Sequence, residues 1–260
     1  MSDLPCAALG AYRHFVFYLD GTLVDSGRDL AAAVNRALRD LGLAELPDEH
    51  VIGFVGHGMR RLLIASLAAA APGREDELVD AASERFRDHY GRGLLDHTSL
   101  HRGVDSLLEA LSRSGKRLSV LTNKPRVFTD PILRGLAVAD RFADAVCGDE
   151  VTRPKPDPEG LLRLVERSGV SASETCLVGD SAVDVETARR ARVAACAVTW
   201  GLRDVDELRE ADPEHLVSSP LEILGTRVVP PASRVVDGGP ARAATLAGPG
   251  APGSRHRRRT

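Results

Sequence analysis

Apolar residues along this chain follow two different periods. Phe15-Val16-Phe17-Tyr18-Leu19, Leu118-Ser119-Val120-Leu121, Ala145-Val146-Cys147, Cys176-Leu177-Val178 and Ala195-Cys196-Ala197-Val198 are short, nearly continuous apolar runs. Runs of that length, bounded by glycine or polar turn residues, predict buried strands. Helical spacing fills the intervals over 104–111, 127–136, 158–168 and 183–191. Pro158 sits at an early helix position and Gly169 follows that helix's end, as helix termini favour. Strands separated by helices predict an α/β fold with a doubly wound parallel sheet.

One stretch breaks the alternation. Leu30, Ala33, Val34, Ala37, Leu38 and Leu41 mark one face of a helix that Gly42 ends. Helical material continues to about Leu95, interrupted at Pro47 and at Gly56-His57-Gly58, and shows no strand. The expected organisation is an α/β core over 14–26 and 97–225, an inserted all-helical cap over 27–96, and a tail over 226–260.

The tail enters through its charge. The whole chain of 260 residues carries −3. Residues 226–260 hold seven arginines and one acid, a local +6 that leaves −9 on residues 1–225. Rich in Pro, Gly, Ala and Arg with no apolar period, the tail is expected to be disordered. Its end, Arg255-His256-Arg257-Arg258-Arg259, could touch an anionic partner. An acidic body argues against nucleic acid as a ligand. With 43% apolar and 27% charged residues and no apolar run of membrane-spanning length, a soluble protein with no membrane partner is expected. Residues 1–13 carry no secretion signal, and Cys6, Cys147, Cys176 and Cys196 lack metal or disulfide spacing. A reducing cytoplasm is the expected compartment.

Ligands of doubly wound sheets bind beyond the carboxyl ends of the strands. Four polar segments fall there: Asp20-Gly21-Thr22 through Ser26, Thr122-Asn123-Lys124-Pro125, Arg153 through Pro158 around Lys155, and Gly179-Asp180-Ser181 with Asp184 beyond. Together they suit phosphoryl transfer, which needs positioning and charge neutralisation. Lys155, flanked by prolines in a chain with few lysines, supplies a fixed positive charge. Thr122 offers a hydroxyl and a backbone N–H to a phosphate, and as a lone threonine it would equally cap a helix. Asp180 suits Mg²⁺, a hard cation that prefers carboxylate oxygen. Asp184 is either a further metal ligand or an acid favoured by the helix dipole. Asp20 is placed to protonate a leaving oxygen and then activate water, with Gly21 allowing the sharp turn beside it.

On these segments, with Val55-Gly56-His57-Gly58 and Thr199-Trp200-Gly201, the chain resembles the haloacid dehalogenase superfamily, and within it phosphoglycolate phosphatases. The likeness runs from about Phe15 to Leu224. It implies Mg²⁺-dependent hydrolysis of a small phosphorylated metabolite, 2-phosphoglycolate first. It also implies catalytic Asp20, Thr122 and Lys155, a metal site of Asp20 (through its carbonyl), Asp180 and Asp184, and substrate contacts from Gly21, Thr22, Asn123, Gly56 and Arg60. Arg60 or Arg61 would meet a substrate carboxylate, or else sit solvated on the helix surface.

One position departs from the resemblance. The superfamily signature is Asp-x-Asp-Gly-Thr, and this chain reads Tyr18-Leu19-Asp20-Gly21-Thr22. The family's first aspartate attacks phosphorus and binds the metal. Tyrosine replaces it with a large neutral phenol whose ordinary pKa is near 10. Asp and Tyr codons differ by one base, so Tyr18 reads as a sequence error, as an inactivation, or as the mark of a protein that only binds a phosphorylated metabolite or a partner. Smaller departures are Arg102 before Gly103 and Arg192 where a glycine commonly ends a helix.

Overall fold

A computed structural model describes residues 8–225. Cys6 and the basic tail lie outside the described residues.

Strand β1 (His14–Phe17) leads through β2 (Val24–Asp25) into helices α1 (Gly27–Asp40), α2 (Asp48–Ile52), α3 (Met59–Ala70) and α4 (Glu75–Arg92). The chain returns at β3 (Ser99–Leu100) and then alternates: α5 (Val104–Arg113), β4 (Arg117–Leu121), α6 (Arg126–Gly135) and β5 (Asp144–Val146). It continues through α7 (Glu159–Ser168), β6 (Thr175–Gly179), α8 (Ala182–Ala191), β7 (Ala194–Val198), α9 (Val205–Glu210) and β8 (His215–Val217). The six-stranded sheet has the order β5-β4-β1-β6-β7-β8, every pair parallel. β1 is therefore central. Phe17 pairs with Val120 on one side and Val178 on the other, so Asp20, Thr122 and Asp180 emerge together just past the strand ends.

Side chains alternate across the sheet, as the pleat dictates. Phe15, Phe17, Leu118 and Val120 enter one core, while Val16, Leu121, Leu177 and Ala195 enter the core on the opposite face. The helices over 27–92 close a third apolar core, in which Leu30, Val34 and Leu38 of α1 join Leu63 and Leu67 of α3 and Phe86 of α4. Phe128 of α6 packs into this third core from the sheet side.

Two features were not expected. β2 and β3 form an antiparallel two-residue ribbon at the base of the helical insert, too short to show any period in sequence. β8 adds a short, partly exposed sixth strand beyond β7, which was expected to be the last. Arg192 takes the left-handed conformation (φ 56°) after α8. For a residue with a side chain that conformation costs roughly 1–2 kcal/mol. Cys147, Cys176 and Cys196 are buried. Among the described residues no helix is long and apolar enough to cross a membrane.

Candidate active site

The loop after β1 is drawn tight by its own backbone. The carbonyl of Leu19 accepts N–H bonds from Thr22 (3.3 Å), Leu23 (2.9 Å) and Val24 (3.0 Å), and Gly21 N donates to Val24 O at 2.8 Å. Gly21 is required here on two counts. Its φ is +84°, and a Cβ at this position would lie 2.1 Å from Asp180 Oδ2. The aspartate is thus pressed against bare backbone.

Asp180 follows β6. Its Oδ1 accepts the Thr22 hydroxyl (3.2 Å) and its Oδ2 accepts Leu202 N–H (2.8 Å). Both donors are neutral. Burial, and then the charge of neighbouring Asp184, push its carboxyl up to about 7. Asp184, in the first turn of α8, accepts Ser181 Oγ at 2.6 Å and forms an ion pair with Lys155 Nζ. The same Nζ stands 3.5 Å from the centre of the Tyr18 ring, close enough for a cation–π contact.

Tyr18 is buried to 3% exposure, with its N–H bonded to Val178 O at 2.9 Å. Burial, then Asp20, Asp180 and Asp184, hold its phenol well above the ordinary 10. The side chain is a neutral phenol, with no nucleophilic oxyanion.

A second buried lysine serves the other aspartate. Lys124 Nζ donates to Asp20 Oδ1 at 2.6 Å, and Ser26 Oγ donates to the same oxygen at 2.6 Å. Lys124 Nζ also reaches the Tyr90 hydroxyl, on α4 of the helical insert, at 2.6 Å. Burial opposes a charge on Lys124, but Asp20 and Tyr90 outweigh it and hold its ammonium above the ordinary range.

Thr122, Lys155, Asp20, Asp180 and Asp184 gather at one sheet edge, as their segments predicted. Three expectations are revised. Thr122 N–H is spent on Val146 O (3.0 Å), so the hydroxyl alone remains for a ligand, and it already accepts Lys124 N–H at 3.0 Å. Asn123 acts as a rivet. Its side chain donates to Gly56 O and Lys155 O (3.2 Å each) and accepts Lys155 N–H at 2.9 Å, fixing the lysine loop to the insert. Arg60 does not face the pocket. It lies on the outer face of α3, paired with Asp80 at 2.7 Å, with both side chains well exposed. The buried stripe of that helix, Leu62, Leu63, Ser66 and Leu67, points the other way. Gly56 lines the pocket between core and insert, together with Tyr18, Asp20, Tyr90, Asn123 and Lys124.

Sequence reasoning passed over Lys124, Tyr90 and Arg203. Lys124 stood inside a singled-out segment and was findable there. Arg203 donates to Gly53 O at 2.7 Å and also to Val55 O, tying the loop after β7 to the insert. Nothing local marks Arg203 or Tyr90.

Two carboxylates at this edge are candidates to hold a hard divalent cation. Asp180 and Asp184 offer crowded, buried carboxylate oxygens, and both hydrogen bonds to Asp180 come from neutral donors, with Lys155 nearby but paired to Asp184. That chemistry fits such an ion. Among the described residues no three His, Cys, Asp or Glu side chains converge on one point.

Comparison with known proteins gives a consistent family. The profile of the haloacid dehalogenase-like hydrolases matches residues 15–198. A phosphoglycolate phosphatase of Nitrosospira multiformis is 37% identical over 202 residues, covering 77% of this chain and 89% of the relative. One from Rhodospirillum rubrum is 40% identical over 190 residues, covering 72% and 79%. The crystal structure of a predicted phosphoglycolate phosphatase from Haemophilus somnus superposes with a TM-score of 0.78 at 28% identity, covering 83% of this chain and 97% of that one.

Proposed function

The chain belongs to the haloacid dehalogenase-like hydrolase family, and on that premise we propose that it handles small phosphate monoesters, with 2-phosphoglycolate the first substrate to try. The observation that carries this reading is the pair of buried lysine–aspartate contacts at one sheet edge, Lys155 with Asp184 and Lys124 with Asp20. Lys155 supplies charge to the transferring phosphate oxygens, and the Thr122 hydroxyl adds a hydrogen bond. Asp20, oriented by Ser26 and Lys124, gives a proton to the leaving oxygen and takes one from water. Asp180 and Asp184 would hold Mg²⁺, which when bound neutralises charge on the phosphate. The helices over 27–96 act as the cap that excludes water from this pocket.

A second reading has its own observation. Tyr18 is neutral, buried and stacked under Lys155, so the covalent route is closed to it. In this reading the chain binds a phosphorylated metabolite and turns it over slowly or not at all.

One assay separates the two. The chain and its Tyr18→Asp variant are compared on 2-phosphoglycolate and an aryl phosphate, with Mg²⁺ present. Restoring the nucleophile is expected to raise kcat by at least about 10³-fold. Activity in the variant alone makes the chain as written a binder. Failure of both forms to turn over or to bind either ester sinks the phosphate-site reading.

A further inference from the structure

We propose that Lys124, held between Tyr90 and Asp20, is the receptor for a carboxylate on the substrate's leaving group. This deepens the phosphate-monoester reading and rests on it.

Few cations are available to the pocket. Lys155 is committed to the phosphate end, beside Tyr18 and Asp184. Arg60 and Arg61 are both exposed on α3 and neither lines the pocket, Arg60 being paired with Asp80. Arg203 is spent on the carbonyls of Gly53 and Val55. Lys124 lines the pocket with its side chain 5% exposed, and of its ammonium's three N–H donors two are spent on Asp20 and Tyr90, which leaves one for a ligand. The rest of the wall on that side is apolar: Leu30, Val55, Leu62, Phe86 and Phe128. A carboxylate buried there without a cation would stay unpaired, which is strongly unfavourable.

Position supports the same assignment. Lys124 Nζ lies 2.6 Å from Asp20 Oδ1, on the carboxylate that serves the leaving oxygen. A carboxylate one methylene away from that oxygen therefore falls within reach of Nζ. Tyr90 supplies a second contact. Its hydroxyl oxygen accepts from Nζ, leaving the hydroxyl proton to donate to the substrate. Burial raises Tyr90 to about 12, so it keeps that proton. Because Tyr90 sits on α4, the carboxylate would be gripped jointly by the insert and the core. A leaving group with several hydroxyls would instead meet the apolar wall.

Two probes isolate the carboxylate: 2-phosphoglycolate and ethyl phosphate, which differ only in carboxylate against methyl. Their affinities are measured by calorimetry on the full chain, or as kcat/KM wherever the ester turns over. The parent is expected to favour phosphoglycolate by at least about tenfold. Lys124→Met should bring the ratio to within about twofold, Lys124→Arg should keep most of it, and Tyr90→Phe should lower it about threefold. A ratio that survives Lys124→Met, or a parent that binds both esters equally, overturns the proposal. Should Lys124→Met fail to fold, Tyr90→Phe, which keeps its ring in the core, decides: an unchanged ratio counts against the proposal. If neither ester binds the parent or Tyr18→Asp, the phosphate-site reading itself is what fails.

Discussion

Two aspartates with little exposed surface, one at the base of the helical insert and one set deeper at the floor of the pocket, respond to their surroundings in opposite ways. Asp29 is 4% exposed and Asp180 is 2% exposed. Burial alone would raise both. At Asp29 the rise is overcome. Its two oxygens accept from His97 N (3.0 Å), Thr98 N (2.8 Å), Thr98 Oγ1 (2.7 Å) and His97 Nδ1 (2.9 Å), and these donors hold its carboxyl below the ordinary range. Asp180 is set deeper and is offered only two neutral donors, so burial, and then Asp184 beside it, raise the carboxyl to about 7. A carboxylate whose hydrogen bonds are all supplied from within is a structural strut. One buried with its charge under-compensated is arranged for something that arrives from outside.

The strut is where the largest loss of stability is expected. Asp29 joins the start of α1 to residues 97 and 98, the two ends of the insert. Asp29→Ala strands two backbone N–H groups and should cost about 2–5 kcal/mol in urea unfolding. Asp29→Asn keeps one acceptor oxygen and should lie between. A loss below about 1 kcal/mol for the alanine variant would erase the contrast, since the donors would then have found water or other partners.

At the pocket floor the sign reverses. Asp180 binds its proton more tightly folded (about 7) than unfolded (3.8). Its contribution to stability is therefore full below the unfolded value and is lost as pH rises through about 7. Asp180→Asn removes the ionisation and should stabilise the fold at pH about 8 by roughly 1–3 kcal/mol while abolishing turnover. The gain should shrink as pH falls through about 7 and vanish only below the unfolded value of 3.8, where Asp180 is protonated in both states. His14, lowered to about 4 mainly by burial, has the opposite dependence, losing its contribution as pH falls. The difference between parent and variant cancels His14, and a difference that does not change with pH would contradict the raised carboxyl.

How much of this contrast could be read in advance follows from where each contact is made. The pocket floor was legible because apolar runs end at Asp20, Thr122 and Asp180, and a parallel sheet brings such ends to one edge. Lys155 was legible through its prolines. Asp29 carries no mark in sequence beyond its place in a first helical turn, since its donors arrive 68 and 69 residues later. Tyr90 has no local mark, because its partner Lys124 lies 34 residues away in a different layer. Arg60 misled because two adjacent arginines fix no helical phase; the turn at Gly58, with φ +86°, sets which face of α3 is buried. The ribbon of β2 and β3 was invisible for want of length.

The smallest expected effect sharpens the contrast most. A divalent cation that relieves the crowding at Asp180 and Asp184 should stabilise the parent, whereas Asp29 has no charge left to compensate. An ion that binds only the folded state, present at about ten times its Kd, adds roughly 1.4 kcal/mol, a few degrees in melting temperature for a chain of this size. Magnesium chloride at about 10 mM should therefore raise the parent's melting temperature at pH about 8, beyond what sodium chloride of equal ionic strength achieves. Asp180→Asn should lose the specific increment, and Asp29→Asn, though less stable, should keep it. Tyr18→Asp should enlarge it by adding a third carboxylate at the position the phenol now fills. An equal increment in parent and Asp180→Asn would mean that the ion acts elsewhere on the acidic body, and that the raised carboxyl at the pocket floor answers to a proton alone.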